Sequence, residues 1–324
     1  MLQAPNIDGL LIQWGDRLFY PGNRVVKVKP QPKLAGGAAR QRAAAIRERI
    51  EATVVRRAPQ VMVKVTGGGR GMKAIAAHFR YISKNGRLDI EDERGETMRG
   101  KDTLPDLADD WRFGGTLIED VAEPGQRREA FNIMLSMPHG TDPLIVQRAA
   151  REFAKIELAD HKYVMVLHDH QANPHVHISV RAESKHGKRL NPRKADLHRW
   201  RETFAERLRE YGVEAEATRQ ATRGRNRNYD PLWRIKARED GRLRTSRPTA
   251  KASQQASATR AEAVEAWMQV GRALATSAEK SDRELARSIA AFVQEMPPAS
   301  STEAPTQQPQ QTPTLKPTDI DPGR

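Results

Sequence analysis

Val166-Leu167-His168-Asp169-His170-Gln171-Ala172-Asn173-Pro174-His175-Val176-His177-Ile178-Ser179-Val180 places turn formers between two apolar or β-branched stretches, and it holds four of the chain's nine histidines. Lys162 to Leu167 and Val176 to Val180 read as strands and Asp169 to Pro174 as the loop of a β-hairpin. Side chains alternate faces along a strand, so His175 and His177 point the same way. If the loop closes symmetrically, His168 lies directly across from His175, within cross-strand reach. Three imidazoles then converge on one face of the hairpin.

Three neutral imidazoles are a common ligand set for a divalent ion, and they leave coordination positions open for water or substrate oxygens, as a catalytic site requires. His168, His175 and His177 are therefore the candidate metal ligands. His170, between them in sequence, is left outside the set. The plainer alternative is that these histidines cap the hairpin or meet solvent.

The rest of the composition narrows the setting. The chain has 324 residues, no cysteine, and 38% hydrophobic residues, with a mean hydropathy of −0.73. Disulfides, thiolate ligands and a cysteine nucleophile are thereby excluded, which leaves histidine and carboxylate to carry any metal. No apolar run approaches the roughly 18 residues needed to span a bilayer, and the first residues lack a signal-peptide pattern, so a cytoplasmic location is expected. A formal charge of +14 and an isoelectric point near 10.2 favour a polyanionic partner, nucleic acid first, because each phosphate neutralised releases condensed counterions.

Five regions follow from charge and periodicity. Residues 1–58 form a strongly basic N-terminal arm, with a mostly polar helix from Ala38 to Thr53; it either clamps DNA or stays solvated. Residues 59–222 hold the main domain in the order β, α, β, α, β, β, followed by a helix. Its first strand, Gln60 to Thr66, runs through Gly67-Gly68-Gly69-Arg70-Gly71 into a helix from Met72 to Lys84 that Asn85-Gly86 ends. The glycine run lacks a following Gly-Lys-Ser/Thr, so it reads as a tight turn rather than a nucleotide loop, although a backbone so near a helix N-terminus is also placed to meet a DNA phosphate. Residues 88 to 129 read as an acidic excursion around a short amphipathic piece at Leu104 to Trp111.

Ala130 to Ser136 is a second strand and Pro143 to Leu158 a helix. After the hairpin, Leu197, Trp200, Phe204, Leu208 and Tyr211 recur at helical spacing up to Gly212, with a short extended stretch at Val213 to Ala217. Residues 223–256 are a basic linker. Arg223, Arg225, Arg227, Arg234, Arg238, Arg242, Arg244 and Arg247, interleaved with Tyr229 and Trp233, equally suit a groove for single-stranded nucleic acid. Residues 257–296 are helical, the second helix opened by a capping box at Ser281-Asp282-Arg283-Glu284. Residues 297–324, rich in Pro, Gln and Thr, form a disordered tail.

If a metal holds a phosphodiester, water or a side chain must attack it. The chain has five tyrosines, Tyr20, Tyr81, Tyr163, Tyr211 and Tyr229. On the helix from Met72, residues Met72, Ile75, Ala76, Phe79 and Ile82 make the buried stripe, and Tyr81 falls opposite it, amid His78, Arg80 and Lys84. It is a nucleophile or an ordinary surface residue.

Three segments then resemble known sequences. Lys64-Val65-Thr66-Gly67-Gly68-Gly69 before a helix ending His78-Phe79-Arg80-Tyr81-Ile82-Ser83-Lys84-Asn85-Gly86, then Met134-Leu135-Ser136-Met137-Pro138 with Gly140-Thr141-Asp142, then Pro174-His175-Val176-His177, together resemble the conjugative relaxases of the HUH endonuclease superfamily. The branch they are most similar to contains the T-DNA border nicking enzymes. Tyr211-Gly212-Val213 to Arg223-Gly224 fits as the domain's tail. Relatives often read His-x-Asp at the first histidine, where this chain has His168-Asp169-His170.

The resemblance implies an α/β (α+β) fold with an antiparallel central sheet and flanking helices, extended here by C-terminal helices. It implies that Tyr81 is the nucleophile, that Ser136 contacts DNA or phosphate near the scissile bond, and that His168, His175 and His177 bind Mg²⁺ or Mn²⁺. Asp169 and His170 are the local candidates for drawing off the tyrosine proton. The activity implied is nicking of single-stranded DNA at an origin of transfer on a plasmid or integrative element. The link formed is a 5′-phosphotyrosine that conserves bond energy and lets the step reverse. The expected partners are an accessory origin-binding protein, a coupling protein and a type IV secretion channel, while unwinding is left to others because no helicase loop is present. A metal-dependent hydrolase using water and a non-catalytic DNA-binding mobilisation protein are the rival readings.

Overall fold

In the computed structural model, residues 6–20, 36–122, 127–170, 173–224, 240–242 and 251–296 are described. In chain order, helices α1 (Ile7–Phe19) and α2 (Gly36–Val54) precede β1 (Met62–Gly67), α3 (Met72–Ile82), β2 (Ile90–Asp92), β3 (Thr97–Met98) and α4 (Thr103–Phe113). Then come β4 (Ala130–Ser136), α5 (Pro143–Glu157), β5 (His161–His168), β6 (His175–Ser184), α6 (Lys194–Glu210), a 3-10 turn at Ala221–Arg223, α7 (Lys251–Ala275) and α8 (Lys280–Gln294). The fold is mixed α/β around a six-stranded antiparallel sheet of order β1-β4-β6-β5-β2-β3.

Alternation along the strands sends two apolar sets to opposite faces. Val63, Ile133, Leu135, Val176, Ile178 and Val180 pack on one face with Val146 and Phe153 of α5 and Trp200 and Phe204 of α6. Val164 and Val166 face the other way, onto Met72, Ile75, Phe79 and Ile82 of α3 and Leu104, Leu107 and Trp111 of α4. The central strands, covered on both faces, therefore read as apolar runs. Helix α5 begins as its sequence dictates, with Pro143 in the first turn and Asp142 accepting from the Leu144 N–H at 2.9 Å. Helix α3 ends at Ile82, because Lys84, Asn85 and Gly86 all turn to positive φ, and Gly86 presses on the backbone of Gly100, where a side chain has no room.

Four expectations need correction. Over its described residues the N-terminal arm is folded: α1 and α2 close a separate core with α7 and α8 through Leu11, Leu18, Ile46, Ile50, Trp267, Ile289 and Phe292. Among its described residues five guanidinium groups are paired internally: Arg42 with Asp16, Arg47 with Asp8 and Asp282, Arg49 with Glu202 and Glu216, Arg56 with Glu48 and Glu214, and Arg57 with Glu295. Those guanidinium groups are not laid out as a phosphate clamp. The acidic excursion at 88–129 adds β2 and β3 to the sheet and α4 to the core. Its short strand is hidden in the sequence by Glu91 and Asp92, which are buried because Arg151 grips the first and Arg94 the second.

The phosphate role offered for the glycine turn fails as well. The N–H groups of Met72 and Lys73 already donate to the carbonyls of Glu119 and Asp120, and a Cβ at Gly71 would lie 2.7 Å from the Asp120 oxygen. The glycines serve close backbone packing. Finally, α8 starts at Lys280 with Glu279 at its N-cap and no side-chain cap, so Ser281 and Glu284 lie inside the helix and do not open it as a capping box.

Within Val213 to Ala217, Glu216 makes one parallel bridge to Gln60. Arg225, Arg227, Tyr229, Trp233, Arg234, Arg238, Arg244 and Arg247 lie outside the described residues, as does the tail from 297. Arg242 pairs with Asp240 at 2.5 Å.

Candidate active site

The hairpin register sets His168 opposite His175, and Ser136 of β4 lies on the other side of His175, with Met62 of β1 beyond it. Directly paired residues share a face. One row across the sheet therefore carries Met62, Ser136, His175 and His168, and the next carries Lys64, Met134, His177 and Val166. This is the face that α3 and α4 cover, but their cover stops short of β1: Met62, Lys64 and Thr66 are exposed and Met134 is half-buried. The triad sits at the border between covered and open sheet.

One nitrogen from each of His168, His175 and His177 lies within 4.8 Å of the others, and all three residues are buried. Their second nitrogens explain why the site is fit for a cation. His168 Nε2 is 2.7 Å from the carbonyl of Ile82 and His175 Nδ1 is 2.9 Å from that of Asn173. A carbonyl only accepts, so those nitrogens carry the protons, and the opposite nitrogen of each neutral ring keeps a free lone pair. His168 Nδ1 and His177 Nδ1 are buried without a protein partner. Burial, then the neighbouring imidazoles, pushes His177 down to about 3, and burial lowers His168 as well. The two rings therefore stay unprotonated at neutral pH, as ligands must be. The donor set fits a divalent ion, whose identity three imidazoles do not fix.

Tyr81 stands in the last turn of α3, 68% exposed, with its ring edge-on to His177 at 6.3 Å. The helix brings the phenol to the triad because its buried stripe, Met72, Ile75, Phe79 and Ile82, fixes its rotation on the sheet. Ser136 is buried, its hydroxyl 3.3 Å from the Pro174 carbonyl just before His175. His170 lies 5.1 Å ring to ring from His168, and Asp169 beside it is exposed. One neighbour was not singled out from the sequence. His78, one turn before Tyr81, stacks on the tyrosine ring at 6.0 Å and meets His177 at 6.4 Å. Its spacing of three from Tyr81 on a helix was the available signal.

Residues 81–213 match the family model described as relaxase, MobA/VirD2-like, nuclease domain. The chain carries a MobA/VirD2-like relaxase nuclease domain. The matched relaxase segment opens at Tyr81 and takes in Ser136 and the whole histidine triad. At the level of that family, the activity is nuclease action on DNA for mobilisation. No curated protein matches the chain. Among the described residues, no helix is long and apolar enough to cross a membrane.

Proposed function

We propose that the protein nicks one DNA strand at an origin of transfer by transesterification, with Tyr81 as nucleophile. The observation that carries this reading is the exposed phenol set beside His177 and the triad inside a relaxase nuclease domain. The hydroxyl oxygen of Tyr81 bonds to phosphorus, the bond from phosphorus to the 3′ oxygen breaks, and that oxygen leaves with a proton as a 3′-hydroxyl. A tyrosine hydroxyl is protonated at pH 7, so its proton must depart as the oxygen attacks, toward the loop that bears Asp169 and His170. A bound Mg²⁺ or Mn²⁺ would neutralise charge gathering on the phosphate oxygens. His168, His175 and His177 would hold the ion, while Ser136 is assigned to a phosphate oxygen.

A single-stranded substrate suits the open strip of sheet next to the triad. Met62 and Met134 offer apolar surface to bases and Lys64 a charge to the backbone, all on the triad's face. Accessory origin-binding protein, coupling protein and type IV secretion channel complete the transfer by analogy with the family.

The test is incubation with Mn²⁺ and DNA from around the protein's own gene, wild type beside Tyr81→Phe, followed by a denaturing gel. A covalent protein–DNA adduct lost in the Phe variant, with DNA binding kept, is expected. Free nicks without adduct would point to a hydrolase that activates water, and DNA binding without cleavage to a mobilisation protein that does no chemistry.

A further inference from the structure

The phenol of Tyr81 is exposed, and among the described residues its side chain is held by two ring contacts alone, to His78 and to His177. The three ring centroids form a nearly equilateral triangle with sides of 6.0, 6.3 and 6.4 Å. His177 belongs to the sheet. His78 belongs to the same helix as Tyr81, and its plane is only 30° from that of the phenol, whereas His177 meets both rings edge-on at 77° and 78°. His78 thus touches both the phenol and the triad ring nearest to it.

We infer that His78 is a positioning residue for Tyr81: its ring, stacked on the phenol, holds the hydroxyl in register with the triad. The inference rests on Tyr81 being the nucleophile. The ring is what acts. His78 Nε2 is buried and meets no protein acceptor or donor, so the contacts in place are made by the ring faces and edges. A ring of similar size without nitrogens fills the same place. An exposed tyrosine freed from one of its two contacts samples several rotamers, and a nucleophile displaced by even 1 Å loses much of its rate.

Two measurements on the full-length protein test this, with His78→Ala and His78→Phe beside wild type. Alanine is a good helix former, so α3 is expected to persist in the first variant. In the first measurement, tyrosine rings are labelled with ¹³C, and the Tyr81 signal is found by its loss in Tyr81→Phe, which five tyrosines make tractable. The Tyr81 ring signal is expected to move toward the free tyrosine position in His78→Ala and to remain displaced in His78→Phe. In the second, adduct formation at saturating DNA and Mn²⁺ is expected to slow about tenfold in His78→Ala, the scale of one lost aromatic pair, with DNA and Mn²⁺ affinities unchanged and the rate restored in His78→Phe. A Tyr81 signal unmoved in His78→Ala overturns the inference, and so does a Phe variant as slow as the Ala variant, which would give the role to the nitrogen. If wild type itself forms no adduct, the proposed reaction fails, and the ring signal still decides whether His78 places Tyr81.

Discussion

His168 donates a hydrogen bond of 2.7 Å to the carbonyl oxygen of Ile82, the residue after Tyr81 and the last of helix α3. A helix leaves its final carbonyls without intrahelical partners. Here one of them accepts a hydrogen bond from a candidate metal ligand, so the turn carrying the phenol and the triad are joined through one imidazole.

Replacing His168 with Ala removes both a ligand and that link. Mn²⁺ affinity is expected to fall by at least about tenfold, measured by titration calorimetry on protein stripped of metal, and His175→Ala is expected to behave likewise. An isotherm unchanged in either variant would rule out the triad as the ion's seat.

Ser136→Ala separates two uses of one hydroxyl. The serine faces the Pro174 carbonyl that precedes His175, and the proposed reaction gives it a phosphate oxygen. If the phosphate role holds, Mn²⁺ affinity stays within about twofold while adduct formation slows about ten- to a hundredfold, the loss of one hydrogen bond to a charged group. A parallel drop in both would show that the serine only props the loop.

Arg49 of α2 joins the helical unit to the sheet unit, its guanidinium reaching the buried Glu216 at 2.9 Å and Glu202 at 2.9 Å. Arg49→Met leaves Glu216 buried and unpaired, at an expected cost of about 3–5 kcal/mol in denaturant unfolding. Adding Glu216→Gln should restore most of it. A single variant as stable as wild type would mean that the pair is solvated in solution.

Acid should weaken the same junction. His198 of α6 packs against Tyr20 at 6.4 Å with Glu202 3.7 Å away, and burial, aided by Arg201, Arg49 and Arg219, holds it down to about 4. The unfolded chain takes up this proton near pH 6.5 and the folded chain only near 4, so stability is full above 6.5 and declines as pH falls through that window. Thermal midpoints at pH 7.5 and 5 should drop less in His198→Gln than in wild type; equal drops would remove His198 from the account.

Much of the site was legible because it obeys the period of a strand. His168, His175 and His177 could be placed on one face from spacing alone, and the observed register pairs His168 with His175 as the spacing required. Ala130 to Ser136 and the helix from Pro143 announced themselves by apolar runs and by the Asp142-Pro143 start. What was not legible is long-range pairing of charge. Arg47 finds Asp282 across the chain and Glu91 finds Arg151, and neither partner can be read from local pattern, so a folded helical unit looked like a basic arm and an edge strand like an acidic loop. His78 escaped notice because its importance lies in the neighbours that the fold supplies.

Helices α1 and α2 complete their core only with α7 and α8, which follow in the chain after the whole sheet unit. At about 5–20 residues per second, the ribosome needs some tens of seconds to deliver the missing half. During that interval Leu11, Leu18, Ile46 and Ile50 have no cover from Trp267 or Phe292, while the sheet and triad can already assemble. The order of synthesis thus leaves the apolar faces of the first two helices uncovered while the strands that bear the histidine triad are already made.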